Sequence, residues 1–366
     1  MPRDIDDHVD SLRNLLRPAV TSLSSYRLAR YSGVTKLDQN ENAFGPPEPV
    51  RRALMEAAEK ASFHRYPDLE ATEIREALGK LSDWPSEGIL VANGSNELLM
   101  MLAMATLEKG RTAIAPSPSF STFAYVTQLM GSDLVEIPAE ENLAHRSGPF
   151  VAAIAKNSPA LVFLCTPNNP TGSAMSPMEV QSVAASGQGI LAVDEAYCEF
   201  SGWSARELLP STPHLVVLRT FSKAAGLAGL RIGYLMAHPE LAQEIGKAQL
   251  PYAVNQFSRV GALAACEHYD LIRARARVIV EERDRLYSLL QSFHGIKPYP
   301  SQTNFILFEC ALGAQPVYEG ILSRGVLVRN LSSHPRLSRC LRVTVGRREE
   351  TDQFINALSG TLEELS

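Results

Sequence analysis

A lysine set among hydroxyl-bearing and small residues is the strongest chemical feature of the sequence. Lys223 follows Thr220 and Ser222, and Arg231 stands eight positions further on. A lone lysine is usually a solvated surface residue. Here the hydroxyls and the guanidinium would bind an anion, and an amine in the same loop would act as a nucleophile. The segment therefore indicates an anion cradle built around a nucleophilic amine.

A glycine turn between a predicted strand and a predicted helix offers a second place for an anion. Residues 91–97 contain Gly94, Ser95 and Asn96 where the helix would begin. Backbone N–H groups at a helix start, together with the positive end of the helix dipole, suit a phosphate. The alternative is an ordinary helix cap formed by Ser95 or Asn96.

Two further segments place polar groups directly after apolar strands. Residues 165–172 contain two prolines and a glycine, so they form either an ordinary turn or a rigid one that presents the amides of Asn168 and Asn169. Asp194 ends an apolar run. It is either a helix cap or a buried carboxylate held ionised by a cationic ligand nitrogen, because an unpaired buried charge is too costly.

These four segments together describe one ligand. Polar residues gather where apolar strands end, which is where ligands bind in open α/β sheets. The ligand would have a phosphate, a basic ring nitrogen, a ring hydroxyl and an aldehyde.

The elements that must position these residues alternate along the chain. Short apolar runs alternate with longer amphipathic segments, as in a mostly parallel sheet covered by helices. The predicted strands are 88–92, 112–115, 134–137, 160–165, 189–193, 214–219 and 231–236, and the predicted helices include 96–107 and 177–185.

The pattern changes after residue 250. A long charged helix is predicted over 270–293, then strands over 304–308, 326–329 and 341–345, and a closing helix from Glu350. We therefore predict an α/β protein with three parts. Residues 1–35 form an arm that packs on the small domain or on a partner subunit, 36–255 form the large domain, and 256–366 form a smaller α+β domain.

Composition excludes several classes of protein. The chain has 366 residues, 45% of them hydrophobic, which is enough for a sizeable core. A net charge of -5 without a basic block argues against nucleic acid or a membrane surface as partner. Five cysteines without a CxxC pair argue against a zinc site and fit a reducing cytoplasm. The polar N-terminus and the short apolar runs predict neither a secretory signal nor a membrane helix.

At this point the sequence resembles the fold-type I pyridoxal-phosphate aminotransferases, and the histidinol-phosphate aminotransferase branch in particular. Ser222-Lys223 followed by Gly229-Leu230-Arg231, and Asn169-Pro170-Thr171-Gly172, carry the resemblance most specifically. Further matching segments are 37–42, 65–68, 194–197, 303–307 and 341–346. The resemblance covers nearly the whole chain and implies a large domain with a mostly parallel seven-stranded sheet.

The resemblance implies a role for each matched residue around pyridoxal 5′-phosphate. Lys223 would hold the cofactor covalently and move the proton during catalysis. Asp194 would pair with the pyridinium nitrogen, keeping the ring electron-withdrawing. Asn169 and Tyr197 would hydrogen-bond the ring hydroxyl, and Phe120 would stack on the ring. The residues implied to hold the phosphate are Gly94, Ser95, Asn96, Thr220, Ser222, Arg231 and, across a homodimer interface, Tyr66.

The same resemblance implies the substrate side of the site. Arg342 would bind the anionic group of the substrate in bidentate fashion, with Arg329 on a neighbouring predicted strand. Asn42 and Tyr26 would also contact the substrate. Tyr26 has an alternative role as an aromatic anchor that packs the arm down. No metal site is expected.

Several residues depart from the branch. Phe120 and Phe123 replace tyrosines, which removes hydroxyls but keeps the stacking faces. Ala43, Ser95-Asn96 and Arg347 stand where proline, Ala-Asp and threonine are usual. None of these removes a catalytic group, so they bear on substrate preference rather than on cofactor chemistry.

The expected reaction is transamination between L-histidinol phosphate and 2-oxoglutarate. An aromatic amino-acid aminotransferase is the first alternative, since Phe120 and Phe123 would tolerate a phenyl or indole ring. A threonine-phosphate decarboxylase, which needs no keto acid, is more distant. A ligand-sensing regulator of the same fold would need a DNA-binding domain, and residues 1–35 are not basic.

Overall fold

The large sheet contains the segments that carry the predicted site. The computed structural model describes residues 12–24, 31–62 and 64–365. Seven strands pair in the order β2-β8-β7-β6-β5-β3-β4. They are β2 (Ile89–Ala92), β3 (Thr112–Ser117), β4 (Asp133–Pro138), β5 (Leu161–Cys165), β6 (Ile190–Asp194), β7 (Leu215–Thr220) and β8 (Gly233–Ala237).

Only β8 runs against its neighbours, because its pairings with β2 and β7 are antiparallel and the other pairings are parallel. The predicted mostly parallel seven-stranded sheet is therefore confirmed. Each predicted strand overlaps an observed one, with ends that differ by one or two residues. Arg231, the predicted start of the last strand, lies before β8 in a left-handed conformation with φ 52°.

Helices cover both faces of this sheet, which explains why its strands are almost continuously apolar. Along β5, Leu161 and Phe163 pack on one face, and Val162 and Leu164 on the other. The helices of this part are α1 (Pro18–Thr21), α2 (Glu48–Lys60), α3 (Thr72–Ser82), α4 (Ser95–Thr106), α5 (Thr122–Met130), α6 (Ser147–Asn157), α7 (Pro177–Ala184) and α8 (Pro239–Gly246).

The C-terminal part is built on a four-stranded antiparallel sheet in the order β12-β13-β10-β9. Its strands are β9 (Ile296–Pro298), β10 (Phe305–Cys310), β12 (Arg329–Asn330) and β13 (Cys340–Thr344). Its helices are α9 (Gln256–Glu267), α10 (Tyr269–Gln291), α11 (Ala314–Ser323) and α12 (Arg348–Leu365). This arrangement confirms the predicted smaller α+β part and shows that its sheet is antiparallel.

The single strand predicted over 326–329 is wrong. β11 (Val326–Leu327) pairs in parallel with β1 (Thr35–Lys36), whereas β12 pairs with β13 in the other sheet. The chain changes partner strand at Val328, which is buried between them. The local sequence pattern does not reveal this change, because residues 326–330 are continuous and no turn residue separates the two short strands.

The domain boundaries at 35/36 and 255/256 stay predictions. β1 pairs with the C-terminal part, and α9 packs against α2 and α3. α1 contacts α5, and Gln128 Nε2 donates to Ser22 Oγ at 3.0 Å. Within the described ranges, no helix combines the length and the apolar character needed to span a membrane.

Candidate active site

The strand ends named in the sequence meet at one edge of the large sheet. Cys165 lies opposite Asp194 in the register of β5 and β6, and Thr220 lies opposite Gly233 in that of β7 and β8. Gly233 also faces Ala92 of β2. Because β2 and β7 are both antiparallel to β8, their carboxyl ends lie at the same edge. The four segments predicted to bind one ligand are therefore brought together.

Lys223 lies at this edge with its amine deep in the site. Its Nζ donates to the carbonyl of Gln39 at 3.0 Å and lies 5.8 Å from the centroid of the Tyr197 ring. Burial lowers the pKa of the Lys223 amine to about 8, and the charges of Arg342 and Arg231 act in the same direction. An amine with this pKa is partly neutral near pH 7, as a nucleophile requires.

Asp194 ends β6 and is 3% exposed. Its Oδ1 accepts from the backbone N–H of Ala196 at 3.0 Å, which is a local turn rather than the cap of an α-helix. Burial raises the pKa of this carboxyl to about 6, and neighbouring Glu195 adds to the rise. A cationic ring nitrogen would stabilise the ionised form, so the environment fits the buried-carboxylate alternative.

Glu195 and Arg219 form a buried ion pair that the sequence analysis did not identify. Glu195 accepts from Arg219 Nε at 3.2 Å and NH2 at 3.1 Å, and from Ser204 Oγ at 2.8 Å. Since the pair is satisfied internally, it supports the strand end that carries Asp194 and leaves no carboxylate for a ligand. The available signal was one charged residue, Arg219, within the apolar strand β7 and another, Glu195, directly after the neighbouring apolar strand β6.

The two amides of the rigid turn have different partners. Asn168 is buried, and its side chain bonds Ser119 Oγ at 2.6 Å, Thr171 Oγ1 at 2.9 Å and the Pro118 carbonyl at 3.0 Å. It therefore holds the turn itself. Asn169 instead accepts from Arg342 NH1. This contact joins the large sheet to β13.

Hydroxyls, a guanidinium and a helix start line one pocket at the sheet edge. Thr220 Oγ1 donates to Ser222 Oγ at 2.9 Å, and Arg231 NH1 donates to the same oxygen at 3.3 Å. Arg231 also lies over Gly94, where an added Cβ would be 2.5 Å from NH2. Ser95 and Asn96 begin α4, whose first N–H groups point out of the helix end.

The donor chemistry of this edge fits pyridoxal 5′-phosphate. A phosphate suits the Thr220–Ser222–Arg231 pocket and the helix start, and an aldehyde suits the Lys223 amine. A pyridine nitrogen suits the buried Asp194 carboxylate. Each group that the cofactor requires has a matching residue at this edge.

Arg342 and Arg329 form the other side of the site. They lie directly opposite each other in the antiparallel register of β12 and β13, so their side chains leave the same face of the sheet. Arg342 NH2 donates to the Asp38 carbonyl at 2.8 Å, and its guanidinium lies over the Phe305 ring with Cζ 5.0 Å from the centroid. Like charges placed opposite each other repel, and a bound anion would relieve that repulsion.

Three predicted residues have contacts besides those predicted for them. Tyr66 is 81% exposed and stacks on Tyr252 at 4.5 Å, with no contact to the phosphate pocket within this chain. Phe120 packs edge-on against Phe123 at 5.8 Å. Asn42 donates to the Ala224 carbonyl at 2.8 Å, so its amide supports the lysine loop. Tyr26 lies outside the described residues.

Residues 38–42 form a segment that we name the strap. The sequence predicted a substrate contact for Asn42 but no individual role for the other strap residues. Its successive backbone or side-chain groups contact Arg342, Lys223 and Tyr197. Asn40, at 1% exposed, is the most buried polar residue of the strap. In the sequence, the strap is marked by a row of polar residues after the apolar Leu37. Contact with solvent alone does not explain why two of these residues are asparagines.

Comparison with known proteins agrees with this geometry. The profile of the family described as aminotransferase class I and II matches residues 32–358. A histidinol-phosphate aminotransferase of Chlorobaculum tepidum is 35% identical over 346 residues, covering 94% of this chain and 99% of that protein. Histidinol-phosphate aminotransferase 1 of Ralstonia nicotianae is 36% identical over 362 residues, covering 97% and 96%.

A solved structure extends the likeness to three dimensions. The histidinol-phosphate aminotransferase of Sinorhizobium meliloti, in complex with pyridoxal 5′-phosphate, superposes with a TM-score of 0.86 at 27% identity. The match covers 96% of this chain and 98% of that one. The chain belongs to the class I and II aminotransferase family.

Proposed function

We propose that the protein transfers the amino group of L-histidinol phosphate to 2-oxoglutarate, giving imidazole-acetol phosphate and L-glutamate, a step of histidine biosynthesis. The reaction is ping-pong, with pyridoxal 5′-phosphate as cofactor. The observation that carries the proposal is the placement of Arg342, which bonds Asn169 at the sheet edge, with Arg329 directly opposite it in the register of β12 and β13. We infer the substrate from the near-full-length relatives that are named histidinol-phosphate aminotransferase.

The cofactor, when bound, supplies an electron-withdrawing ring that stabilises negative charge at the substrate Cα. The Asp194 carboxylate would hold the proton on the ring nitrogen. Asn169 and Tyr197 would bond the ring hydroxyl, and Phe120 would stack on the ring. The phosphate would lie on Gly94, Ser95, Asn96, Thr220, Ser222 and Arg231.

Lys223 Nζ moves the proton to and from the substrate Cα. For this it must be neutral at the start of the step, and the lowered pKa of about 8 supports that role. Gln39 accepts from the amine and restrains its direction.

One site must accept both a phosphate monoester and a dicarboxylate. The amino donor and the keto acid each carry an anionic group at the same end of the molecule. A pair of guanidiniums can therefore bind either substrate with bidentate hydrogen bonds. Arg342 binds the anionic group that is common to the substrates of both half-reactions, and Arg329 binds the additional negative charge. Asn42, whose amide donates to the Ala224 carbonyl of the lysine loop, stays a predicted substrate contact, as does Tyr26.

We infer further that the protein is a homodimer with shared sites, although its cytoplasmic location stays a prediction. Tyr66 is highly exposed and stacked on Tyr252, and Leu250, which is 75% exposed, lies two residues before Tyr252. An exposed aromatic pair of this kind is typical of an interface. In the dimer, Tyr66 would reach the phosphate pocket of the partner subunit.

Mixing two inactive variants tests the shared site. Lys223→Ala and Tyr66→Ala are each expected to be impaired, and their hybrid dimer would contain one complete site if Tyr66 acts across the interface. Activity should then rise on subunit exchange to about a quarter of the wild-type value, the statistical share of restored sites in a random mixture. No recovery, with dimers verified by sedimentation, would place Tyr66 in its own subunit's site or outside any site.

The substrate is tested by following one half-reaction in the visible spectrum without a keto acid. The purified enzyme would be mixed separately with L-histidinol phosphate, L-phenylalanine and L-threonine phosphate. The expected result is fastest loss of the cofactor band with L-histidinol phosphate and its return on adding 2-oxoglutarate. A preference for phenylalanine indicates aromatic transamination, and release of carbon dioxide from threonine phosphate indicates a decarboxylase; either result would overturn the proposal.

A further inference from the structure

Asn40 occupies an unusual position between the two halves of the site. It is 1% exposed, and its backbone has φ 54°, in the left-handed region that asparagine tolerates better than most residues. Its Nδ2 donates to the Tyr197 hydroxyl at 2.8 Å. Asn40 therefore contacts one of the cofactor residues without lying at the cofactor edge itself.

Residues of the C-terminal sheet hold Asn40 in this orientation. Its N–H donates to Thr344 Oγ1 at 2.9 Å, and its carbonyl accepts from Asn304 Nδ2 at 3.0 Å. Thr344 Oγ1, which accepts from that N–H, also donates to Asn40 Oδ1 over a longer distance of 3.5 Å. The amide oxygen thus faces Thr344, and the amide nitrogen must face Tyr197.

The direction of this hydrogen bond determines where the Tyr197 proton goes. A phenol has one hydrogen to donate and can accept on its oxygen. Since Asn40 donates to that oxygen, the Tyr197 hydrogen stays available for another acceptor. Burial raises the pKa of Tyr197, so the phenol keeps its hydrogen, and the Arg342 charge and the Asn40 hydrogen bond only partly oppose that rise.

We infer that Asn40 is a positioning residue that directs the Tyr197 hydroxyl hydrogen toward the ring oxygen of the cofactor. The inference rests on the proposed function, because it requires Tyr197 to face the bound cofactor. A donor to the ring oxygen stabilises its deprotonated form and so lowers the pH at which the cofactor's visible band changes. Asn40 would set that pH through Tyr197.

Two substitutions separate direction from mere loss of a side chain, and both tolerate a positive φ. Asn40→Gly removes the amide and keeps the backbone conformation. Asn40→Asp keeps the size and offers an acceptor, which would draw the Tyr197 hydrogen away from the cofactor. Since one hydrogen bond contributes roughly 0.5–1.5 kcal/mol, the apparent pKa of the visible band should rise by roughly 0.5 in Asn40→Gly and roughly 1 in Asn40→Asp.

The measurement is a spectrophotometric pH titration of each cofactor-loaded variant, repeated in a Tyr197→Phe background. Both shifts should vanish in that background, because no hydroxyl remains to be directed. Asn157→Asp, on the last residue of α6, is the control and should leave the pKa unchanged. Thermal unfolding of each variant verifies that it folds, and if one of the two fails to fold, the other carries the test.

The outcomes separate this inference from the proposed function. Unchanged band pKa values in both Asn40 variants would overturn the inference, and so would equal shifts with and without the Tyr197 hydroxyl. Failure of the wild-type protein itself to form a cofactor band would overturn the cofactor assignment instead.

Discussion

The lysine half and the arginine half of the site are constructed in different ways. In the lysine half, the contacts within the phosphate pocket are short along the chain: Thr220 bonds Ser222 two residues away, and Arg231 reaches Ser222 across nine. The Lys223 amine and the Ala224 carbonyl add contacts to the distant strap. In the arginine half, Arg342 bonds Asn169 at a separation of 173 residues and Asp38 at 304. One half is made by the local turns of a sheet edge, and the other by the meeting of distant segments.

This difference predicts which substitutions should have only local effects. A substitution in the phosphate pocket of the lysine half should affect the cofactor and leave the rest of the fold in place, because the Thr220, Ser222 and Arg231 contacts come from the same loop. A substitution of Arg342 should also disturb Asn169 and the strap, since one guanidinium holds both. Measuring how far the effect of each substitution extends through the molecule tests this difference between the two halves.

The largest effect is expected for Lys223→Ala. Loss of the proton-transferring amine should lower kcat at least about 10³-fold, at the upper end of what general acid–base catalysis contributes. Because the phosphate pocket is formed by its neighbours, the variant should still bind the cofactor noncovalently, as equilibrium dialysis would measure. Lys247→Ala, an exposed lysine paired with Glu244, is the control. Residual activity within tenfold of wild type would contradict the role of Lys223.

Arg342→Ala should slow both half-reactions by roughly 10²-fold, the effect of losing charge-assisted hydrogen bonds to an anion. Since Arg342 also bonds Asn169, the visible band of the bound cofactor should shift as well. Stopped-flow absorbance measures each half-reaction separately. Arg339→Ala, whose guanidinium bonds the Cys310 carbonyl outside the site, is the matched control. An unchanged rate in either half-reaction would show that Arg342 does not bind the common anion.

Gly94→Ala should weaken cofactor binding by roughly tenfold while kcat at saturating cofactor changes little. The new Cβ would lie 2.5 Å from Arg231 NH2 and displace that guanidinium, which would cost one charge-assisted phosphate contact. Gly110→Ala shares the same φ of +89° but meets nothing within 4 Å, so it carries the backbone strain alone. Equal losses of cofactor affinity in both variants would attribute the effect to strain rather than to Arg231.

The smallest effect concerns pH and joins the two halves. Only the neutral amine of Lys223 attacks an aldehyde, so the rate of cofactor incorporation should rise with pH around a midpoint of about 8. Arg342 helps to lower this pKa, so Arg342→Ala should move the midpoint upward. Stopped-flow mixing of cofactor-free protein with cofactor measures it. A downward or absent movement would show that the arginine half does not act on the lysine electrostatically.

Local pattern was sufficient for the large sheet and for the lysine half. Its strands are apolar runs bounded by turns, and their carboxyl ends necessarily share an edge when the strands are parallel. The order of strands then places the turn at 165–172, Asp194 and Lys223 together. Glu195 and Arg219 escaped notice because a buried ion pair looks in sequence like two ordinary surface charges.

Periodicity and short motifs were enough to predict the seven-stranded sheet, the family and the location of Lys223 at the sheet edge. Only the tertiary structure decided that residues 326–330 divide between two sheets, that Tyr66 points outward, and that the strap joins Lys223, Tyr197 and Arg342. Asn40 and Thr344 are 304 residues apart, and a contact at that distance leaves no trace in local spacing. The position of Asn40 follows from the way in which the strap packs against the C-terminal sheet. No single segment of the sequence encodes that packing.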